Sequence, residues 1–356
     1  MNILLLSRYD KLGASSRYRS YQYLPYLRNL GHRIDVSPLL SNLYLNRTYA
    51  GRNIPLFDVL TSYLRRVRHM LNSHSYDLVW IEYEVFPWLP FGVETMLMKS
   101  SVPYVVDYDD AVFHRYDQHT MNVVRNILGS KIDHVMKRAS LVIAGNEYIA
   151  QRAGEAGAKR IEILPTAVDL ERFETKKPPI NAELKIGWIG TPMTIHYLNE
   201  IEEALTIVCR DGNARLVTIG SSFAHPDNVE TESREWSEET EIEELSKFDV
   251  GIMPLTDSPW ERGKCGHKLI QYMACSKPVI ASPVGVNATI VEHGTNGFLA
   301  STTGDWVNAF TALSTDRILR EQMGKAGRKK VERLYCTAVT APRLAQLLSE
   351  ASRGVC

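Results

Sequence analysis

The chain has 356 residues, with 41 Lys plus Arg against 41 Asp plus Glu. That is too long for one ordinary hydrophobic core, and too balanced in charge to point to a nucleic-acid binder. A hydrophobic fraction of 44% and a charged fraction of 23% argue against long disordered tracts. There is no apolar run of about 18 residues or more, so no membrane-spanning helix is expected.

In chain order, the first expected element is a strand over Asn2–Leu6. Its apolar stretch is short and no basic segment precedes it, so it reads as a strand and not as a signal peptide. The loop after it runs Ser7 to Arg19 and holds one glycine, Gly13. A dinucleotide fold would place GxGxxG here, so a nicotinamide or flavin cofactor is not expected. Gly13-Ala14-Ser15-Ser16 instead suits close approach of backbone amides to a diphosphate or sugar, with Arg17 and Arg19 adding charge. The plainer alternative is a serine cap with two surface arginines.

A helix over Arg19–Leu30 and a strand over Arg33–Ser37 follow. Residues 1–70 contain eleven Lys or Arg and three acids. Arg65, Arg66, Arg68 and His69 are interleaved with Leu60, Tyr63, Leu64, Val67 and Met70. This is either a solvated helix face or a patch for an anionic acceptor or an anionic membrane surface. Further strands are expected over Leu78–Glu82, Tyr104–Asp107, Leu141–Ala144 and Ile161–Leu164, with a helix over Asp133–Ala139. Glu82 and Glu84 flank Tyr83, either lining an acceptor or capping a turn. Asp107, Asp109 and Asp110 close a strand, where a carboxylate could meet a ligand. Their DxD spelling matches a metal-binding pattern, but no metal is expected. Asn146 and Glu147 end another strand. His114, His119 and His196 are not spaced as a metal set.

Residues 174–183, polar and carrying Pro178-Pro179, read as a linker. Beyond it, strands are expected over Lys185–Ile189, Arg215–Ile219, Val250–Pro254, Pro278–Ala281 and Gly297–Ala300. The helices among them are Leu198–Cys209, Thr240–Lys247, His267–Cys275, Trp306–Ser314 and Arg317–Leu334, and a last one spans about Thr340 to Ser352. Strand–helix alternation in both halves predicts parallel sheets with crossover helices. Five cysteines lack paired or CxxC spacing, which fits a reducing cytoplasm and neither disulfides nor zinc.

Residues 259–283 read PWERGKCGHKLIQYMACSKPVIASP. A charged loop runs into a helix at Gly266, His267 and Lys268. Amides and the helix dipole there attract anions, and Lys264 and Lys268 add positive charge. Gln271 lies one turn in, on the same face as Lys268. The plainer alternative is a basic helix start with solvated lysines.

This block resembles the nucleotide-sugar site of the retaining, glycogen-synthase-like glycosyltransferases ("glycosyl transferases group 1"). That family carries a glutamate, seven residues, then a second glutamate, followed by an alanine-rich turn and "G-PVIAS". The resemblance extends to Asp107–Asp110, to Ile163-Leu-Pro-Thr-Ala-Val-Asp-Leu-Glu-Arg-Phe173, and to Ile186–Gly190. It also takes in Val217–Gly220, Phe248–Pro254 and Gly294–Leu299. The family's glutamates fall on Gly263 and Gln271, and its usual Arg and Lys are absent from the loop Thr191–His196.

The resemblance implies an α/β GT-B fold: two Rossmann-like doubly wound domains facing a central cleft. The expected division is 1–176 for the acceptor-side domain, 177–185 for the linker and 186–336 for the nucleotide-sugar domain. A helix over 337–356 would pack back toward the first domain. The implied activity moves a sugar from a nucleotide-diphosphate donor to a glycan or lipid-linked acceptor with retention of configuration, without a cofactor. Asp109, Lys264 and Lys268 are the expected catalytic residues. Gly13, Gly190, Thr191, Gly266, His267, Lys268, Leu269 and Gln271 are expected on the donor, and Arg17, Glu82 and Glu84 on the acceptor side. The expected location is cytoplasmic, with peripheral contact on the inner membrane face. A non-catalytic partner subunit and a nucleotide-sugar epimerase stay open as alternatives.

Overall fold

The computed structural model describes residues 1–97, 102–173, 183–210, 212–224 and 231–354. The chain divides into two compact units. Unit 1 is Met1–Thr166 with Gly263–Cys265 and Thr337–Cys356; unit 2 is Ala167–Arg262 with Gly266–Cys336. Most of the expected linker (177–185) lies outside the described residues, as does Cys356; the chain resumes at Glu183.

Unit 1 holds a parallel sheet of β1 (Asn2–Leu6), β2 (Arg33–Val36), β3 (Leu78–Glu82), β4 (Tyr104–Tyr108), β5 (Leu141–Ala144) and β6 (Ile161–Ile163). The strand order is β2-β1-β3-β4-β5-β6. Both faces are covered, so β1 and β3 to β5 read as continuous apolar runs without alternation. The period of two persists in the packing. Leu4, Leu6, Val79, Ile81, Val106 and Val142 enter one core, while Ile3, Leu5, Leu78, Trp80, Val105 and Leu141 enter the other. That second core is completed by Leu344, Leu347 and Leu348 from the helix Thr337–Ser352.

Unit 2 holds β7 (Leu184–Ile189), β8 (Ala214–Ile219), β9 (Thr231–Arg234), β10 (Val250–Met253), β11 (Val279–Ala281) and β12 (Gly297–Leu299), again all parallel. Their order is β12-β11-β10-β7-β8-β9. The order reverses between β7 and β10, and a doubly wound sheet opens its ligand crevice at that switch, beyond the carboxyl ends of the strands. In unit 1 the corresponding reversal lies between β1 and β3.

Three elements differ from expectation; the helix expected over Leu198–Cys209 is a 3-10 helix at Ile195–Ile201 followed by Glu202–Cys209. The helix expected over Arg19–Leu30 is Ala14–Arg19, a 3-10 turn at Tyr21–Tyr23, and Leu24–Asn29. Pro25 sits in the first turn of the last piece, where its missing N–H costs nothing; inside one continuous helix it would break a hydrogen bond. β9 was not expected. It pairs with β8 alone, and a polar edge strand carries no apolar signal.

The side chain of Leu344 is fully buried in the unit 1 core. Leu344→Ala is expected to cost about 2–5 kcal/mol, read as a loss of several degrees in the melting temperature.

Candidate functional site

Of the residues expected on the donor, all but Gly13 belong to unit 2, on the elements beside its switch point. β7 ends at Ile189 and passes into Gly190 and Thr191, while the helix His267–Ala274 belongs to the connection after β10. Gly190 N–H donates to Ile219 O at 3.0 Å. A Cβ on Gly190 would lie 2.3 Å from the Trp188 ring, and one on Gly220 would lie 2.4 Å from Gly190 O. The two motif glycines therefore let β7 and β8 end in close contact.

The helix His267–Ala274 starts on Gly266, whose φ of +65° is left-handed. A Cβ there would stand 2.3 Å from Ile290 Cδ1. Both backbone and packing thus require glycine at the N-cap. The helix is fixed behind this start by Tyr272, whose hydroxyl accepts from Ile189 N–H at 3.0 Å and reaches Ile252 O at 3.4 Å. The first-turn amides point outward from the helix start, and the dipole adds a partial positive charge. Lys268 lies with its ammonium 4.1 Å from the Trp188 ring centroid. This cation–π contact holds the charge over the end of β7 and is worth roughly 0.5–2 kcal/mol. Trp188 was missed by the sequence reading because a buried strand tryptophan looks like core alone.

His267 is half-buried, whereas Leu269 is a core residue, so Leu269 offers a ligand its backbone only. Gln271 is buried, and its amide nitrogen donates to Glu241 Oε1 at 2.8 Å. Trp236 Nε1 donates to the other oxygen of Glu241. The family's glutamate at position 271 would put two buried carboxylates in contact; glutamine turns that repulsion into a hydrogen bond. The carboxylate of Glu241 was not anticipated, because it comes from a distant helix.

In unit 1, Gly263, Lys264 and Cys265 lie against the ends of β4 and β5. Asn146 caps the helix Glu147–Glu155 through Oδ1. Its Nδ2 donates to Gly263 O at 2.8 Å and Lys264 O at 3.1 Å. A Cβ on Gly263 would lie 2.3 Å from Ala111 Cβ and 2.8 Å from Ala111 N. The family's first glutamate has no room at this position. Lys264 Nζ is 4.0 Å from Asp110 Oδ1. Asp109 is half-buried and accepts a hydrogen bond from the Tyr83 hydroxyl. Tyr83 itself has a left-handed φ of +63°, which is uncommon for a bulky residue and marks stored backbone strain. Asp109 and Lys264 thus share one corner of unit 1, while Gly266 to Gln271 belong to unit 2.

The acceptor-side residues are engaged inside unit 1. Glu84 accepts from Lys131 at 2.6 Å, from the Tyr116 hydroxyl at 2.8 Å and from Arg8 at 3.3 Å. Lys131 also pairs with Glu94 at 3.0 Å. Glu82 accepts from Arg8 N–H at 2.9 Å and from Ser16 Oγ at 2.6 Å; its other oxygen is buried without a partner among the described residues. Burial pushes the Glu82 carboxyl up to about 8, against the opposing pull of those two donors. Asp107 pairs with Arg19 at 2.8 Å, and burial pushes its carboxyl up to about 6. Arg17, expected on the acceptor side, is buried, with its guanidinium 4.8 Å from the Tyr18 ring. Gly13 is buried too, and a Cβ would lie 2.3 Å from Tyr9 Cβ, so packing alone accounts for glycine there.

Both units carry doubly wound parallel sheets, the architecture of GT-B proteins. Residues 185–316 match the family model "Glycosyl transferases group 1". Sulfoquinovosyl transferase SQD2 of Arabidopsis thaliana is 25% identical over 286 residues, covering 70% of this chain and 52% of that protein. The chain thus spans about half the length of this curated relative. Sucrose-phosphate synthase of Thermosynechococcus elongatus aligns with a TM-score of 0.73 at 16% identity, over 98% of both chains. Anabaena HepE in complex with UDP-glucose aligns with a TM-score of 0.72 at 17% identity, over 98% of this chain and 100% of that one. These structures establish the GT-B fold.

Two stability predictions follow from the buried carboxylates. The folded carboxyl of Glu82 holds its proton to about 8, whereas an unfolded glutamate releases it near 4.3. Its contribution is therefore fully present below the unfolded value and is lost as pH rises through the folded one. Glu82→Gln is expected to flatten the decline in melting temperature across that window; an unchanged profile would remove Glu82 as its source. Gln271→Glu is expected to destabilise the protein by about 1–3 kcal/mol at neutral pH, with part of the loss recovered in acid, where one carboxyl of the pair is protonated. Thermal unfolding at several pH values checks both.

Proposed function

We propose that the chain is a glycosyltransferase that moves a sugar from a nucleotide-diphosphate donor to a glycan or lipid-linked acceptor with retention of configuration. The observation that carries this reading is the helix start at Gly266, set at the switch point of unit 2 with Lys268 held over Trp188. Departure of a nucleoside diphosphate leaves negative charge. Fixed amides and an ammonium already in place stabilise that charge without reorganisation. The family match over 185–316 covers this segment.

The donor base is proposed to be uracil, and the sugar a hexose. Support comes from the HepE structures in complex with UDP, and with UDP and glucose. In this reading Gly190, Thr191 and the first turn from Gly266 to Leu269 receive the donor, with His267 beside the sugar. Gln271 acts behind them, by holding Glu241. Asp109 is assigned to the transferred sugar, where a carboxylate stabilises an oxocarbenium-like transition state, and Lys264 to the charge on the departing diphosphate. A lipid-linked acceptor would bring the chain to the cytoplasmic face of a membrane.

A non-catalytic partner subunit is the second reading. It is favoured by the closed space at Gly263 and by the burial of Gln271 against Glu241, which leave neither family glutamate replaced in kind.

The experiment is product analysis with UDP-, GDP- and dTDP-sugars and a panel of acceptors. Transfer with a UDP-hexose is expected. Lys268→Ala should lower kcat/KM at least tenfold, about 1.4 kcal/mol of transition-state stabilisation. Nucleotide binding without turnover selects the second reading. Free nucleotide with an altered sugar and no acceptor product indicates an epimerase. The absence of nucleotide binding ends the proposal.

A further inference from the structure

The helix Leu56–Leu71 in unit 1 is apolar on two sides, and the fold uses one of them. Arg66 and Met70 are buried, with Val59, Tyr63 and Val67 half-buried beside them. Tyr63 donates from its hydroxyl to Pro87 O at 2.7 Å. The other apolar side faces outward. Leu56 is 87% exposed, Phe57 73%, Leu60 57% and Leu64 59%, and Leu71 continues the row. At 3.6 residues per turn, positions 56, 60, 71, 64 and 57 fall in that order across an arc of roughly 100°. Scattered exposed leucines need no explanation, but a continuous row along four turns of one helix does.

The charges beside this row are of one sign. Arg68 and then Arg65 lie next to the arc on the helix surface, and Arg52 is exposed in the segment before it. Asp58 is the lone acid between residues 41 and 71. Arg66, which the sequence places in the same cluster, is withdrawn from it. It is buried and donates to Ser7 O and Ser37 O at 2.7 and 2.9 Å. The exposed basic group is therefore Arg52, Arg65 and Arg68, of which Arg65 also donates to Pro38 O at 2.9 Å. The field of the group reaches His69, where the imidazolium is disfavoured first by burial and then by Arg66, Arg65 and Arg68.

We propose that this helix lies flat on an anionic lipid bilayer, with Leu56, Phe57, Leu60 and Leu64 in the headgroup–acyl boundary and Arg52, Arg65 and Arg68 against the lipid phosphates. An outward apolar arc bordered by arginines is the pattern of an interfacial helix. Among the described residues no helix is long and apolar enough to cross a membrane, so the contact is of a surface kind. A protein partner would also cover apolar side chains. The bordering arginines outnumber the acids nearby, Asp58 on the helix and Asp35 beside His69, and favour a surface of negative charge. The inference extends the lipid-linked acceptor reading to the residues that meet the bilayer, and its test does not depend on turnover.

The experiment is co-sedimentation of the full chain with vesicles of phosphatidylcholine alone, or with about one third phosphatidylglycerol. Binding is expected to the anionic vesicles, to weaken as salt is raised, and to be slight on the neutral ones. The triple variant Leu56→Ser, Phe57→Ser, Leu60→Ser should bind at least about tenfold more weakly, with an unchanged melting temperature, because these side chains are already in water. The pair Arg52→Gln, Arg68→Gln should remove most of the salt dependence. UDP affinity by calorimetry should be the same in all variants. Equal binding by the triple variant, or no vesicle binding by the wild type, overturns the proposal. Self-association that the triple variant abolishes, without vesicle binding, assigns the face to a second copy. Failure to bind UDP with intact vesicle binding removes the transfer reading and leaves this one standing.

Discussion

Unit 2 is organised around one backbone constraint: the helix after β10 begins on a left-handed glycine. Gly266 adopts a φ of +65° directly over Ile290, so no residue with a Cβ can take its place without moving the β11-side packing. Behind it, the Tyr272 hydroxyl ties the helix to both β7 and β10. The motif glycines Gly187 and Gly251 make this possible, because a Cβ on either would overlap Phe248 or Tyr272. The helix dipole is thereby aimed from a fixed platform, and Lys268 is held over Trp188 with little freedom left to lose.

Unit 1 is governed by buried charge. Arg8, Glu82, Glu84, Glu94 and Lys131 are all withdrawn from solvent near the ends of β1 and β3, where that sheet reverses its order. Removing charges from water is expensive, and such groups persist when each is compensated. Glu84 is compensated by a lysine, an arginine and a tyrosine, while Glu82 has two donors on one oxygen only. The unequal compensation explains why burial raises Glu82 so far. It also means that protein groups fill the ends of β1 and β3.

The strands were legible because a sheet buried on both faces writes itself as short apolar runs, and most expected bounds agree to within a residue or so. What escaped reading was governed by tertiary partners. β9 is polar because it is an edge. The break at Pro25 depends on where the helix starts. Arg17, Glu82 and Glu84 look like surface or ligand-facing groups, and only their partners at Lys11, Arg8, Ser16 and Lys131 explain their burial. Likewise, Gly263 and Gln271 read as losses of family glutamates. Ala111 and Glu241 supply physical reasons for both replacements, and neither neighbour is close in sequence.

The central claim is that amides at the start of the helix His267–Ala274 receive the donor diphosphate. Amide hydrogen exchange of the whole chain, with and without UDP, tests it most directly. The account predicts slowed exchange confined in unit 2 to the segments around 189–191 and 266–269. Binding of UDP that leaves the exchange of 266–269 unchanged, or that protects only other segments, would contradict it.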